Sequence, residues 1–117
     1  MALLNAAPGG GTAARGTTVV YRAFNAAGDV IYVGITDNFG RRSAEHAARF
    51  AIVPLMRGLS RAEARAVEQV LIDSHGLASK GGTLLNRINS IARSNPIYQN
   101  ATAQGAALLH GIGYLGF

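Results

Sequence analysis

TTVVYRAFNAAGDVIYVGIT, residues 17–36, has the pattern of a β-hairpin, and the other elements of the chain follow on from it. Both ends of this run are rich in β-branched and aromatic residues, and NAAGD between them has the chemistry of a turn. Two such runs around a short glycine-bearing connection predict paired antiparallel strands. Side-chain alternation places Tyr21 on one face of the first strand, and Tyr32 and Gly34 on one face of the second.

The residues after the hairpin predict a turn and then a helix. Asp37 is the expected N-cap of a helix over residues 38–50. Arg42 and His46 stand four residues apart in this helix, and Arg49 follows three residues later. That spacing places the three side chains on one side of the helix, which is therefore polar.

Farther along, the sequence predicts an edge strand and a second helix. AIVPLM (51–56) suits a short edge strand, since Pro54 cannot donate to a central ladder. Ser60 and Glu63 have the spacing of a capping box that opens a helix over residues 61–75. The apolar stripe expected on this helix consists of Ala64, Val67, Val70 and Leu71.

The remaining segments predict a division into leader, core and tail. Gly76 is the expected C-cap of the second helix. The apolar spacing of residues 84–92 fits a third strand and a short helix equally poorly, and of these alternatives it favours a strand at the start and a helix after it. Residues 1–16 contain the run PGGG and no periodic apolar face, so we expect a flexible leader. The core then covers residues 17–95, and residues 96–117 are expected to pack on it as an appendage.

The composition is basic and lacks cysteine. Eleven Lys and Arg residues stand against six Asp and Glu residues, for a formal charge of +5. Such an excess is common in proteins that bind polyanions, and also occurs in proteins that merely carry a basic surface. The absence of cysteine excludes disulfides, thiolate metal sites and cysteine nucleophiles. No apolar run approaches the ~18–20 residues of a membrane span, and the start lacks the layout of a signal peptide, so we expect a soluble chain without a membrane partner.

A set of polar and aromatic residues in this framework resembles a known family of nucleases. Tyr21 lies in VVY, Tyr32 and Gly34 lie in YVG, Arg42 follows eight residues past that glycine, and His46 comes one helical turn later. In order and spacing these residues resemble the core of the GIY-YIG nuclease superfamily. The first motif reads VVY where the family has GIY, and YVG has valine for the central isoleucine. Neither difference affects a reactive atom.

Two later residues extend the resemblance to about residues 17–90. Glu68 in EQVLI is similar to the family's metal-binding glutamate, and Asn86 in LLN is similar to its late asparagine. The resemblance implies an α+β fold, in which a small three-stranded antiparallel sheet is flanked by helices. It also implies an endonuclease that hydrolyses DNA phosphodiesters with a divalent metal, Mg²⁺ or Mn²⁺.

The family's chemistry gives each residue type an expected role. Glu68 would hold a metal ion that keeps most of its waters. Arg42 would bind two phosphate oxygens through its planar fork. Tyr21 is expected to take a proton from the attacking water, while Tyr32 or His46 orients that water or relays protons. The catalytic candidates are Tyr21, Tyr32, Arg42, His46, Glu68 and Asn86.

A further group of residues is expected to contact DNA. Gly34 would let the phosphate backbone approach the strand end, because it has no Cβ. Arg41 is expected to contact phosphate beside Arg42 without taking part in catalysis. The DNA-binding candidates are Gly34, Arg41, Arg49, Arg65, Lys80 and Arg87.

Each candidate, taken alone, also has a structural interpretation. The tyrosines could pack across the strands. Arg42 could be a solvated helix charge or pair with Glu45, and Glu68 could pair with Arg65 or Arg61. Asn86 could cap a turn. The joint pattern favours the nuclease interpretation.

The later part of the chain supports a narrower resemblance. The runs GLSRAEARAVEQVLIDSHGL and GGTLLNRINSIARSNPIY are similar to small GIY-YIG domains at the C-termini of bacterial polymorphic toxins, such as Rhs-type, contact-dependent inhibition and type VI effectors. This resemblance implies a secreted effector, monomeric and part of a larger polypeptide, that acts in the cytoplasm of a target bacterium and is neutralised by an immunity protein. The alternatives are a housekeeping nuclease in DNA repair or mobile-element processing, and a non-catalytic nucleic-acid-binding module.

Overall fold

The computed structural model of the chain describes residues 16–86 and 88–114. These residues form a three-stranded antiparallel sheet with three α-helices, so the expected α+β fold is confirmed. Most of the expected leader, residues 1–15, lies outside the described residues, as do Arg87 and residues 115–117. The elements are β1 (Thr18–Phe24), β2 (Val30–Thr36), α1 (Phe39–His46), β3 (Ile52–Leu59), α2 (Arg61–His75), a short 3-10 helix (Ala78–Lys80) and α3 (Tyr98–Gly111).

The predicted hairpin supplies the central strand β1 and the edge strand β2 of a sheet whose strand order is β2-β1-β3. β1 pairs antiparallel with β2, and this register sets Tyr21 opposite Gly34 and Ala23 opposite Tyr32. The predicted edge strand is also present, although β3 continues beyond residue 56 to Leu59. The continuation follows from its pairing with the start of β1, where Thr18 lies opposite Leu59.

The first helix differs from the prediction at both ends. Its N-cap is Asn38, whose side-chain oxygen accepts a hydrogen bond of 3.0 Å from the Arg41 amide. Asp37 instead forms an exposed ion pair of 3.5 Å with Arg61. The helix ends at His46 and not at residue 50, because the chain turns there and the His46 carbonyl accepts from the Arg49 and Phe50 amides.

The second helix, α2, has the predicted limits and caps. Ser60 and Glu63 form the reciprocal capping box, and Gly76 ends the helix with a φ of +78°, a conformation that favours glycine. The four residues of the predicted stripe are all buried, and they pack with β1 and β2 residues such as Val20 and Val33. Tyr21 and Ala23 belong to a separate cluster, because alternation places them on the opposite face of the sheet.

Residues 84–92 do not form the expected strand and helix in their described part. Leu84 makes one parallel bridge to Leu77, and the described residues after it up to 92 are irregular. The segment is held to the outer edge of β2 by other bonds: the Leu85 amide donates to the Ile31 carbonyl at 2.7 Å, and the side chain of Asn86 bonds to Val33. These contacts cover an edge that would otherwise expose unpaired backbone groups.

The tail contributes α3, which packs against α2. The two helices approach closely at Gly105, where a Cβ would lie 2.4 Å from the Ala66 carbonyl oxygen. The Tyr98 hydroxyl donates to Asp73 and so joins the start of α3 to α2. Within the described ranges, no helix has the length and apolar character needed to cross a membrane.

Candidate functional site

A buried hydroxyl–imidazole pair lies at the centre of the candidate site. Tyr21 of β1 is fully buried, and its hydroxyl lies 3.2 Å from Nε2 of His46 on α1. The ring of Tyr21 crosses directly over Gly34, so that a Cβ at Gly34 would lie 2.2 Å from the hydroxyl oxygen. The packing of Tyr21 is thus sufficient reason for a glycine at this position, and the expected contact of Gly34 with DNA stays a prediction.

Aromatic rings hold this pair in place. The Tyr21 and Tyr32 rings are stacked with centroids 6.2 Å apart, and the His46 ring lies 5.3 Å from the Tyr32 ring. Phe50 stacks on the imidazole, with its ring centroid 5.0 Å from that of His46. The sequence analysis missed Phe50, although its position four residues after His46 was a usable signal. Packing on two sides leaves the imidazole little freedom to rotate.

Arg42 adds a positive charge beside the pair. Its Nε lies 3.0 Å from a carboxylate oxygen of Glu45, but the N–H does not point at that oxygen, so the buried Nε has no hydrogen-bond partner among the described residues. The side chain is 35% exposed, and its charge favours the deprotonated forms of both Tyr21 and His46. The guanidinium is thus partly available to a ligand.

The two members of the pair have opposite pKa shifts. Burial raises the pKa of Tyr21 to about 12, with a further contribution from Tyr32 that outweighs the charge of Arg42. Burial lowers the pKa of His46, and the charges of Arg42 and Arg49 lower it further. At neutral pH the tyrosine is therefore protonated and the imidazole neutral. In the tautomer protonated on Nδ1, Nε2 can accept a hydrogen bond from the Tyr21 hydroxyl.

A cleft of about 570 Å³ adjoins this pair and collects several of the candidates. It brings Tyr32, Glu68 and Asn86 together with Arg49. Tyr32 connects this cleft to the buried pair, because its ring stacks on that of Tyr21 and lies against that of His46. The cleft is lined by Tyr32, Arg49, Glu68, Leu85, Asn86, Ile88, Asn89 and Ser90.

Glu68 supplies the one carboxylate of this cleft lining. Burial raises its pKa, and a hydrogen bond from Ser90 and the charges of Arg65 and Arg61 act in the opposite direction. The described residues contain no group of three His, Asp or Glu side chains that could enclose a metal ion. A single partly desolvated carboxylate does fit Mg²⁺ or Mn²⁺, since such ions bind one or two carboxylates and keep several waters.

Asn86 has a positioning role in this structure. Its side-chain oxygen accepts from the Val33 amide at 3.0 Å, and its side-chain nitrogen donates to the Val33 carbonyl at 2.7 Å. Both ends of the amide are thus bound to the backbone of β2. The residue fixes one wall of the cleft to the sheet.

Gln69 is a positioning residue that the sequence analysis missed. It is fully buried, its side-chain nitrogen donates to Asp73 at 3.1 Å and to Asn89 at 3.0 Å, and its oxygen accepts from the Ile91 amide at 2.7 Å. These bonds hold the Asn89–Ile91 wall against α2. The available signal in the sequence was the position of this polar residue between the stripe residues Val67 and Val70.

The predicted DNA contacts are dispersed. Arg49 lines the cleft, with its guanidinium 5.0 Å from the Phe50 ring centroid, and Arg65 donates to the Ser90 carbonyl at the cleft wall. Arg41 is exposed beside Glu45 on α1. Lys80 is exposed in the 3-10 helix and is not part of the cleft lining, while Arg87 lies outside the described residues.

A scan of protein-family models found no match to the chain, and searches of curated proteins and of solved structures returned none either. Functional interpretation therefore depends on the site geometry and on the motif resemblance.

Proposed function

We propose that this chain is a metal-dependent endonuclease that hydrolyses DNA phosphodiesters. The observation that supports the proposal most strongly is that residues of β2, of α2 and of the irregular segment after Leu84 line one cleft, and that Tyr32 joins this cleft to the Tyr21–His46 pair. There a neutral imidazole lies 3.2 Å from a tyrosine hydroxyl, beside an arginine, and a carboxylate lines the adjoining wall. A set of side chains that served only to stabilise the fold would not require all four of these groups in one place.

The protein's own residues can move a proton away from an attacking water. His46 is neutral at pH 7, and its Nε2 accepts the proton of the Tyr21 hydroxyl. The Tyr21 oxygen then takes a proton from the water, so charge accumulates on the imidazole and the phenol regains its proton. The packed rings keep both groups in the geometry that this relay needs.

Positive groups are available for the phosphate. Arg42 beside the tyrosine, and Arg49 on the cleft wall, supply charge-assisted donors for phosphate oxygens. Glu68 would hold Mg²⁺ or Mn²⁺, which when bound supplies Lewis-acid stabilisation of the charge developing on phosphorus oxygens. Without a cation, a carboxylate on this wall would repel phosphate, which argues against a module that only binds nucleic acid.

The biological setting proposed for this activity is competition between bacteria. The domain would act as an antibacterial toxin delivered as part of a larger secreted polypeptide, degrade DNA in the cytoplasm of the target cell, and be blocked by an immunity protein in the producer. Only the motif resemblance supports this narrower proposal. A housekeeping role in repair or mobile-element processing is the alternative, and it predicts sequence-specific cutting.

The test is incubation of purified chain with supercoiled plasmid, with Mg²⁺, with Mn²⁺ and with EDTA. We expect metal-dependent cutting that falls by roughly 10²–10³-fold in Glu68→Gln and in Arg42→Ala. Asp29→Asn is the matched control, because Asp29 is an exposed carboxylate in the β1–β2 turn, bonded to Asn25. Circular dichroism checks that each variant is folded.

The products distinguish the alternatives. Smearing of unrelated plasmids supports a non-specific toxin, whereas discrete bands support a repair or mobile-element role. An intact plasmid with a mobility shift indicates a binding module. Cutting at the wild-type rate by Glu68→Gln or Arg42→Ala would show that the site assignment is wrong. In a separate readout, Mg²⁺ should raise the melting temperature of the wild type and not that of Glu68→Gln.

A further inference from the structure

Two large apolar side chains are exposed on the wall of the cleft that carries Asn86. Ile88 is 77% exposed and Leu85 is 49% exposed, and both line the same cleft as Glu68 and Arg49. We call these two side chains the apolar rim. Single exposed aliphatic residues are common on proteins, but two on one rim of a polar cleft form a distinct surface.

Hydrogen bonds hold residues beside both members of the apolar rim. The Leu85 amide donates to the Ile31 carbonyl, and Asn86 is bound at both ends of its amide to Val33. On the far side, Asn89 accepts from the buried Gln69. Because Leu85, Asn86 and Asn89 are already held by these bonds, ordering them on binding costs little entropy.

The two walls of the cleft differ in chemistry. Arg49 and Glu68 are charged and suit a phosphate, with a cation at the carboxylate. The apolar rim suits an uncharged flat surface. A nucleotide carries both features, and a cleft of about 570 Å³ lies within the range of sites that enclose small ligands.

We infer that the apolar rim, Leu85 and Ile88, packs against the face of an unstacked base while the adjoining phosphate occupies the charged wall. This inference rests on the proposed nuclease function and defines its substrate class. The preferred substrate is a single strand, or a duplex whose bases are already unstacked. An intact duplex must first lose stacking at that step, as it does when other proteins insert aliphatic wedges between bases.

The experiment uses oligonucleotides that carry 2-aminopurine, whose fluorescence rises when it unstacks. Binding is measured in EDTA in a Glu68→Gln background, in which no cutting is expected and the carboxylate no longer repels phosphate. We expect the single strand to bind more tightly than the duplex and to become brighter on binding. Ile88→Ser and Leu85→Ser should each weaken single-strand binding about tenfold and reduce the brightening. Both side chains are exposed, so these changes should not affect folding.

The matched control is Ile97→Ser, because Ile97 is 56% exposed and lines a separate groove beside Ala62 and Ala101. It should leave binding and fluorescence unchanged. If the wild type cuts DNA while Ile88→Ser, Leu85→Ser and Ile97→Ser all bind alike, the rim inference is wrong and the nuclease proposal stands. If the wild type neither cuts nor binds nucleic acid, both fail. If the wild type is a dimer and Ile88→Ser converts it to monomers, the rim is an interface between two copies of the chain and the inference is wrong.

Discussion

Replacing Gly34 with alanine tests the packing of the tyrosine at the centre of the site. The new Cβ would lie 2.2 Å from the Tyr21 hydroxyl oxygen and 2.3 Å from its Cζ, while the backbone of Gly34 needs no positive φ. The whole effect is therefore steric. Overpacking typically costs about 1–3 kcal/mol, and loss of the Tyr21–His46 hydrogen bond adds roughly 1 kcal/mol. We expect a loss of about 2–4 kcal/mol in the free energy of unfolding, or a melting temperature about 10–20 °C lower.

Urea denaturation of four chains measures this effect as a double-mutant cycle. The chains are the wild type, Gly34→Ala, Tyr21→Leu and the double variant. Leucine lacks the outer ring atoms that the new Cβ would meet, so in that background Gly34→Ala should cost less than about 0.5 kcal/mol. Gly40→Ala is the matched control, since its Cβ would meet only Asn38 Oδ1 at 3.9 Å, and in a helix it should stabilise by up to about 1 kcal/mol. An equal cost of Gly34→Ala in both backgrounds would refute the steric explanation.

Two further predictions concern the cleft wall and the base. Gln69→Leu should lower the free energy of unfolding by about 2–4 kcal/mol, because the Asn89 side chain and a backbone amide lose their buried partner. Gln99→Leu, on exposed α3 surface, should change it by less than about 0.5 kcal/mol in the same urea titration. For His46, the folded pKa lies below the unfolded value of 6.5, so the unfolded chain binds more protons between the two values. The free energy of unfolding should fall as pH decreases below 6.5, and the difference between wild type and His46→Gln isolates this from His75. The cleavage rate should fall only as pH decreases through the lower, folded pKa of His46, and a rate that rises on acidification would exclude His46 as the base.

The sequence predicted the parts of the fold whose signals are local. The hairpin follows from β-type runs around a turn, and α2 follows from a capping box, an apolar stripe and Gly76. The end of α1 was wrong because residues 47–50 have helical character in sequence, whereas the turn at the His46 carbonyl depends on contacts of Phe50 with distant rings.

The missed features depend on contacts that are distant in sequence. The 84–92 segment bonds to the edge of β2 through side chains as well as backbone, so it needs neither the period of a strand nor that of a helix. The candidate residues were predicted by their order and spacing; Tyr32, Glu68 and Asn86 line one cleft beside the Tyr21–His46 pair, whereas the predicted DNA contacts are dispersed. The raised pKa of Tyr21 was not predictable, because it comes mainly from a depth of burial that its strand position does not reveal.

The hydrogen bonds between Asn86 and Val33 also determine when the outer edge of β2 can be covered during synthesis on a ribosome. The two residues are 53 positions apart, so at about 5–20 residues per second the outer edge of β2 stays bare for about 3–10 s after it is made. During that interval the strand can pair with a neighbouring nascent chain. The finished protein is protected at this edge and the growing chain is not, so spacing ribosomes farther apart on the message should raise the yield of folded protein.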